Sequence, residues 1–234
     1  MTTEAKTPSS GLQDFISKLD VDAVGIAILA DWKETRLEET ALKLLPQTRS
    51  VVVLAMEISR EVLDLASPGK GRGVASLSDL LDHDADFLYG RLTKASYDVA
   101  KASRKLGLRA LPLPAGGCPQ DTRFLEAVFS YKHAAQATGL GSIGRHSLLI
   151  TPEFGSRVRL SCCLTEAVLE PTHGNAVDEC GTCRMCIDNC PAGALAEPKA
   201  GQPYAINKFA CSAFRTASGA CVECLRLCPA GRPG

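Results

Sequence analysis

The sequence predicts an α+β protein built from two parts, an α/β region and a small cysteine-dense region that follows it. Apolar strands alternate with amphipathic helices as far as residue 168, and eight of the 11 cysteines lie from Cys180 onward. A chain of 234 residues suits one large or two small domains. We therefore expect a disordered lead-in at residues 1–10, an α/β domain at 11–170 and a cysteine-rich domain at 171–234.

The front domain opens with a strand, a helix and a second strand. Val21–Leu29 is apolar and ends just before Asp31. Residues 33–45 place leucines on one helical face and stop at Pro46, which cannot continue a helix. Ser50–Ile58 is a nearly continuous apolar run, the pattern of a strand that is buried on both faces, as in parallel sheets.

A long helix and a third strand come next. The helix pattern runs from Leu77 to Leu106, with Gly90 as a candidate break. The strand at Leu108–Leu113 leads into the loop 114–119, which contains Cys118. Because ligands of open α/β sheets bind outside the carboxyl ends of strands, this loop is a candidate pocket wall.

The remaining front-domain pattern is a helical stretch and two strands. Asp121 to Thr138 reads as two helical turns followed by a helix, and Ser147–Thr151 reads as a short strand. In Ser156–Val168 the side chains alternate, so that Arg157 and Arg159 share one face with Ser161 and Cys163.

The cysteines form an internal repeat with the spacing of cluster ligands. Cys180, Cys183, Cys186 and Cys190 follow C-x2-C-x2-C-x3-C-P, the run that bacterial ferredoxins use for [4Fe–4S] clusters. A second, degenerate copy consists of Cys211, Cys221, Cys224 and Cys228. Eight cysteines are what two [4Fe–4S] clusters need, so we expect a ferredoxin-like domain.

In such repeats the fourth cysteine of each run ligates the other cluster. This crossing gives Cys180, Cys183, Cys186 and Cys228 to one cluster, and Cys190, Cys211, Cys221 and Cys224 to the other. A pair of four-cysteine zinc sites is the alternative, since zinc knuckles also use C-x2-C pairs.

Charge and composition exclude several classes of partner. Lys and Arg together number 26, as do Asp and Glu, so no net field attracts nucleic acid or an anionic membrane. Residues 1–10 lack the apolar core of a signal peptide, and no apolar run reaches the ~18 residues of a membrane span. Cysteines at cluster spacing favour a reducing compartment over a disulfide scaffold. We expect a cytoplasmic protein with no nucleic-acid or membrane partner.

The sequence Gly139-Leu-Gly-Ser-Ile-Gly144 matches the dinucleotide fingerprint G-x-G-x-x-G. That fingerprint requires a strand before it and a helix after it, whereas here a helix precedes and a strand follows. We therefore do not expect an NAD site. The turn, with Gly139, Gly141, Ser142 and Gly144, still indicates backbone in close contact with a neighbour, and a large flat ligand is one candidate.

The segment Lys132–Leu160, KHAAQATGLGSIGRHSLLITPEFGSRVRL, resembles the signature of epoxyqueuosine reductases and corrinoid reductive dehalogenases. Leu164-Thr-Glu and the cysteine repeat continue the resemblance, which covers about residues 75–230. It implies a cobalamin bound base-off on the front domain and two [4Fe–4S] clusters that reduce it.

The resemblance also implies site residues. It places Asp121 near the acidic proton donor of epoxyqueuosine reductases, with a surface carboxylate as the alternative. Lys132 and His133 precede the glycine turn and are candidates for a pocket. Three arginines are candidates for contacts with corrin amides or with the nucleotide-loop phosphate: Arg145, Arg157 and Arg159. The alternative is that these arginines form a solvated strand face.

Some features depart from both families. Ser142 stands where the reductases have Trp, and the chain carries no basic surplus. It ends six residues after Cys228, where epoxyqueuosine reductases continue into a tRNA-holding domain, and it begins without a twin-arginine signal. The sequence therefore resembles short members of this superfamily, and we do not expect a tRNA substrate.

The leading hypothesis is a cobalamin-dependent reductase of a small molecule, supplied with electrons by a donor such as ferredoxin or flavodoxin. One alternative is an electron-transfer protein that reduces the corrinoid of a partner protein. A front domain without a ligand-sized pocket would favour that alternative. A third hypothesis puts a flavin in place of the corrinoid.

Overall fold

The computed structural model describes residues 10–66, 77–118, 120–174, 179–218 and 221–231. Of the predicted lead-in at residues 1–10, residues 1–9 lie outside these ranges, and Ser10 begins the first helix. The α-helices are α1 (Ser10–Ile16), α2 (Arg36–Leu44), α3 (Arg60–Leu65), α4 (Leu77–Lys105), α5 (Tyr131–Ala137), α6 (Met185–Asp188), α7 (Lys208–Ser218) and α8 (Glu223–Leu227). The strands are β1 (Ala23–Ile28), β2 (Ser50–Glu57), β3 (Ala110–Leu113), β4 (Gln120–Asp121), β5 (Glu126–Ala127), β6 (Ser142–Ile143), β7 (Leu149–Ile150), β8 (Val158–Thr165), β9 (Leu195–Ala196) and β10 (Ala205–Ile206).

The central sheet is antiparallel throughout, in the order β1-β2-β8-β3. Prediction of a mixed αβ fold is confirmed, but the parallel arrangement suggested by the apolar run at Ser50–Ile58 is wrong. Strand β2 is buried on both faces because it is an inner strand of a three-layer structure, and such a strand looks the same in sequence whatever its direction. The rule that ligands bind at the carboxyl ends of parallel strands therefore does not apply to the loop after β3.

Helices cover both faces of the sheet. On one face, α1, α3 and α4 pack against β2 through a core that includes Leu54, Leu92 and Val99. On the other face, α2 and α5 pack around Phe129, which is fully buried. Cys118 and Cys162 belong to this second core, so Cys118 lies in the interior and is 9% exposed.

The longest helix, α4, is continuous through Gly90 and ends before Gly107, whose φ of +74° favours glycine. Ser96 and Ser161 join it to β8: the Ser96 hydroxyl donates to the Cys162 carbonyl, and the Ser161 hydroxyl donates to the Leu92 carbonyl. Among the described residues, no helix is both long enough and apolar enough to cross a membrane.

The segment after β3 differs from its prediction. The two helical turns expected from Asp121 are wrong, because β4 and β5 form a short antiparallel hairpin there. The helix that follows is present as α5, β6 lies within the glycine turn, and β7 lies in the strand predicted at Ser147–Thr151. This order, helix before and strand after, is not that of a dinucleotide-binding turn.

The cysteine-rich region packs directly on the front region. Val222 is buried in the same core as Leu63 of α3. Near the chain end, a Cβ added to Gly155 would lie 2.0 Å from the Ala230 carbonyl oxygen, so the two backbones are in contact. The boundary between residues 170 and 171 remains a prediction; across it, Thr172 exchanges hydrogen bonds with the backbone of Ile26 in β1.

Candidate functional site

Four cysteines from both halves of the repeat surround one small cavity. Cys180, Cys183 and Cys186 come from the first run and Cys228 from the end of the second. Helices α6 and α8 lie side by side, and this contact brings Cys228 back to the first run. Burial, followed by the neighbouring thiols of Cys180, Cys228 and Cys183, raises the pKa of Cys186 to about 11.

The other four cysteines form a second set. Burial, followed by the neighbouring thiols of Cys221, Cys211 and Cys186, raises the pKa of Cys224 to about 12. Burial also raises the pKa of Cys211; Arg215 opposes this shift, while Cys190 and Cys221 add to it. The backbone N–H of Ala194 donates to Cys190 Sγ at 3.3 Å. In the structure Cys228 joins the first run at one cavity, as in the crossed repeat. The pairing into two ligand sets and the role of the thiols as ligands remain predictions.

The repeat cysteines are sulfur donors, which serve iron–sulfur clusters and zinc sites alike. Within the described ranges, no group of three or more Cys, His, Asp or Glu side chains is placed to hold a metal ion. Ligation of two [4Fe–4S] clusters by these cysteines therefore remains a prediction.

A larger cavity, of about 800 Å³, lies between the second face of the sheet and the cysteine-rich region. Its walls come from α2, the β4–β5 hairpin, α5 and the stretch that leads into α7. Among the described residues that line it, three are cations and one is a carboxylate: Glu126 pairs with Arg36 at 2.8 Å and with Lys208 at 3.2 Å. Lys132 is the third cation, so the cavity carries a positive excess.

Lys132 and His133 occupy the wall formed by α5. The Lys132 ammonium donates to the Ser147 carbonyl at 2.6 Å and lies 4.4 Å from the centre of the Tyr204 ring. Burial, and secondarily Lys208, lowers the pKa of Lys132 to about 8. A lysine in this state exchanges its proton close to neutral pH.

His133 connects two hydroxyl groups at the cavity. Its Nδ1 lies 2.8 Å from the Ser130 hydroxyl and its Nε2 lies 3.5 Å from the Tyr204 hydroxyl. The His133 and Tyr204 rings are nearly parallel, with 22° between their planes. Burial, then Lys132 and Arg36, lowers the pKa of His133, so the imidazole is neutral at neutral pH.

Asp121 lies at the edge of this cavity rather than in its lining. Its neighbour Gln120 lines the cavity, whereas the Asp121 carboxylate pairs with Arg123 at 2.7 Å. That hydrogen-bonded pair lowers the pKa of Asp121 and keeps the group charged. In this conformation Asp121 holds no proton to donate, and its catalytic role remains a prediction.

The glycine turn contacts the protein itself. A Cβ at Gly139 would lie 2.5 Å from the Gly174 amide, and one at Gly141 would lie 2.0 Å from the Ile150 carbonyl oxygen. Gly144 is similarly crowded, by the Ile150 side chain at 2.6 Å. The requirement for glycine at these positions thus comes from internal packing, and neither the glycines nor Ser142 lines the large cavity.

Arg145 is bound to the cysteine-rich region. Its guanidinium donates to Glu197 at 3.0 Å and to the Gly181 carbonyl at 2.7 Å, while its backbone N–H donates to Cys180 Sγ at 3.4 Å. Arg145 therefore supports the first cysteine set and does not line the large cavity.

Arg157 and Arg159 lie on the opposite face of the sheet from the large cavity. Arg157 is 7% exposed and donates to Glu57 and to the Gly231 carbonyl, each at 3.1 Å. The Arg159 guanidinium lies 5.2 Å from the centre of the Tyr89 ring in α4. These two arginines and Lys132 therefore do not share one cavity in this structure, and the cofactor contacts of Arg157 and Arg159 remain predictions.

Comparison with characterised proteins yields two groups of relatives. The tetrachloroethene reductive dehalogenase of Dehalobacter restrictus is 31% identical over 160 residues, which are 60% of this chain and 27% of that protein. The epoxyqueuosine reductase of Gloeobacter violaceus is 32% identical over 176 residues, which are 75% of this chain and 50% of that protein. The solved structure of a catabolic reductive dehalogenase superposes with a TM-score of 0.72 at 19% identity, covering 99% of this chain and 33% of that one.

The chain belongs to the superfamily of epoxyqueuosine reductases and reductive dehalogenases. These relatives are named as reductases. The chain spans about half, or less, of the length of these curated relatives. No protein-family model matches the sequence.

Several residues that line the two cavities were not predicted from the sequence of this superfamily member. Tyr204 and Lys208 belong to the cysteine-rich region, yet they line a cavity whose other walls come from the front region. His146 lines the small cavity beside the cysteines. For His146, the only sequence signal was the resemblance over Lys132–Leu160. No local pattern marks Tyr204 or Lys208, because their hydrogen-bond partners, His133 and Glu126, lie 71 and 82 positions away.

Proposed function

We propose that this protein is a cobalamin-dependent iron–sulfur reductase acting on a small molecule. The observation that carries the proposal is the convergence of Cys180, Cys183, Cys186 and Cys228 on one small cavity, in a protein that also holds a cavity of about 800 Å³. The superfamily supports the reaction class, because its named members are reductases. The two [4Fe–4S] clusters and the ferredoxin-like character of residues 171–234 are part of this proposal.

The large cavity suits a sizeable, polar and partly anionic ligand. Its volume lies within the range typical of ligand sites, roughly 300–1,000 Å³. The positive excess from Arg36, Lys132 and Lys208 suits a phosphate or carboxylate group, and Gln120 and Gln136 suit amides. When bound, cobalamin would supply the reducing chemistry at cobalt.

The residues of this chain have separate roles in the proposal. Lys132 and Lys208 bind the anionic part of the ligand. Tyr204 and neutral His133 are in reach of each other and can pass a proton between hydroxyl and imidazole. Asp121 joins them only when its pair with Arg123 opens.

Both cysteine sets connect with the cavity. Lys208 in the cavity wall precedes Cys211 by about one turn of α7. Lys132 contacts the carbonyl of Ser147, whose neighbour His146 lines the first cysteine set. These connections support electron delivery from clusters to a ligand in the cavity.

Anaerobic reconstitution with iron, sulfide and cobalamin tests the proposal. We expect about eight irons per chain and an absorption spectrum that contains bound corrinoid as well as clusters. A protein with eight irons that binds no corrinoid contradicts the proposal, and a flavin spectrum supports the flavin alternative instead.

A pair of lysine variants tests the cavity itself. Lys132→Gln removes a cavity charge, and we expect corrinoid affinity to fall about tenfold, since a hydrogen bond to a charged group contributes roughly 1.5–3 kcal/mol. Lys101→Gln, on the exposed surface of α4, is the matched control and should bind as the wild type does. Equal affinities of all three proteins would place the corrinoid outside this cavity.

A second candidate function is electron transfer to a partner protein. Met185 and Phe209 are 45% and 57% exposed, and each lies within two residues of a cysteine of the repeat. Exposed apolar side chains beside both sets suit the docking of a redox protein. The same surface would serve an electron donor such as ferredoxin or flavodoxin if the chain is an enzyme.

A further inference from the structure

His146 is held in a tight turn between β6 and β7. The Ser147 N–H donates to the Gly144 carbonyl at 2.8 Å, and the Gly144 N–H donates to the Leu148 carbonyl at 2.9 Å. The turn includes a φ of +65° at Ser147, which is uncommon for a residue other than glycine. His146 itself is 3% exposed, so its ring orientation is fixed by its surroundings.

The hydrogen bonding of the ring defines its tautomer. The Leu148 N–H donates to His146 Nδ1 at 3.1 Å. An imidazole nitrogen that accepts a hydrogen bond carries no proton, so the proton of the neutral ring is on Nε2. Among the described residues, this buried Nε2 has no hydrogen-bond partner. A buried N–H without an acceptor is costly and calls for an explanation.

The ring lies at the cavity of the first cysteine set: His146 lines the same small cavity as Cys180, Cys183, Cys186 and Cys228. The residue before it already donates to one of these sulfurs, since the Arg145 backbone N–H donates to Cys180 Sγ at 3.4 Å. The Nε2–H makes no hydrogen bond to the cysteine Sγ atoms, so the sulfurs left to accept it are those of a cluster held in this cavity.

We propose that the Nε2–H of His146 donates a hydrogen bond to the sulfur atoms of the cluster held by Cys180, Cys183, Cys186 and Cys228 and raises its reduction potential. The inference rests on the proposed function, because it requires that cluster. Adding an electron makes the cluster more negative, so a fixed donor stabilises the reduced form more than the oxidised form. Hydrogen bonds to the sulfurs are among the factors that set cluster potentials.

The test compares reduction potentials of reconstituted proteins by titration followed with electron paramagnetic resonance. His146→Phe keeps a ring but removes the donor, and we expect reduction of the first cluster to become about tenfold less favourable, a fall of about 59 mV for a one-electron couple. His146→Gln retains an amide donor and should recover part of the shift. His83→Phe, on the exposed surface of α4, should match the wild type, and the second cluster should be unaffected in every variant.

If His146→Phe does not fold, a spectroscopic measurement on the wild-type protein tests the same hydrogen bond. With ¹⁵N-histidine, pulsed paramagnetic resonance of the reduced first cluster should detect coupling to one histidine nitrogen, and His146→Gln should abolish it. Absence of this coupling in the wild type, or an unchanged potential in His146→Phe with full iron content, overturns the inference alone. A wild-type protein that holds no iron overturns the proposed function as well.

Discussion

Replacement of Cys228 by alanine separates the crossed cysteine pairing from a pairing by sequence order. Cys228 follows Cys224 by four positions, yet it lines the cavity formed by Cys180, Cys183 and Cys186. Each thiolate of a [4Fe–4S] cluster binds one iron, so the variant should lose between about one and four irons, all from the cluster of the first run. The other set keeps all four thiols and should retain its cluster.

The assay is iron and sulfide content per chain together with the paramagnetic resonance spectrum of the reduced protein. Cys224→Ala serves as the reciprocal variant and should affect the other cluster. Cys118→Ala is the matched control, because Cys118 is a buried cysteine outside both sets, and it should keep about eight irons. Loss of the cluster of Cys221 and Cys224 in Cys228→Ala, with an intact first-run cluster, would refute the reasoning.

Three further predictions concern stability and pH. Gly141→Ala places a Cβ 2.0 Å from the Ile150 carbonyl oxygen and should lower the free energy of unfolding, measured in urea, by about 1–3 kcal/mol. Gly90→Ala has open space around the new Cβ in α4 and should raise the free energy of unfolding by about 0.5–1 kcal/mol, and equal effects of the two variants would contradict the packing argument. The pKa of Lys132 is about 8 in the folded protein and about 10.4 in the unfolded chain, so the unfolded chain binds more protons between these values and the free energy of unfolding should rise from about pH 8 to pH 10. Lys132→Met should lose that rise, and a rise of equal size in both proteins would assign it to other groups. Phe129→Ala leaves a cavity at a fully buried site and should lower the free energy of unfolding, measured by the same urea titration, by about 3–5 kcal/mol. A decrease below about 1 kcal/mol would show that neighbouring side chains repack into the cavity.

Local features of the chain were predictable because their causes are local. The helix at residues 33–45 and the strand at Ser50–Ile58 follow from the periodicity of apolar side chains and from Pro46, and both are present in the structure. The order of helix, turn and strand around Gly139–Gly144 was also predictable from the sequence, and this order is not that of a dinucleotide-binding turn.

The failures have a common origin in contacts between distant positions. An inner strand such as β2 is apolar on both faces in parallel and antiparallel sheets alike, so its sequence does not reveal its direction. Asp121 was predicted to lie in a helical turn, but pairing of β4 with β5 places it in a hairpin, where it meets Arg123. Arg157 and Lys132 were both candidates for cofactor contacts, although the sheet separates them.

The sequence by itself determined that this protein carries eight thiols at cluster spacing and a segment typical of corrinoid reductases, because spacing and motif are properties of neighbouring residues. Only the tertiary structure placed Tyr204 against His133, since burial of two helix-covered sheet faces decides which distant segments meet. The cysteines are thus a property of the chain, and the cavity beside them is a property of the fold.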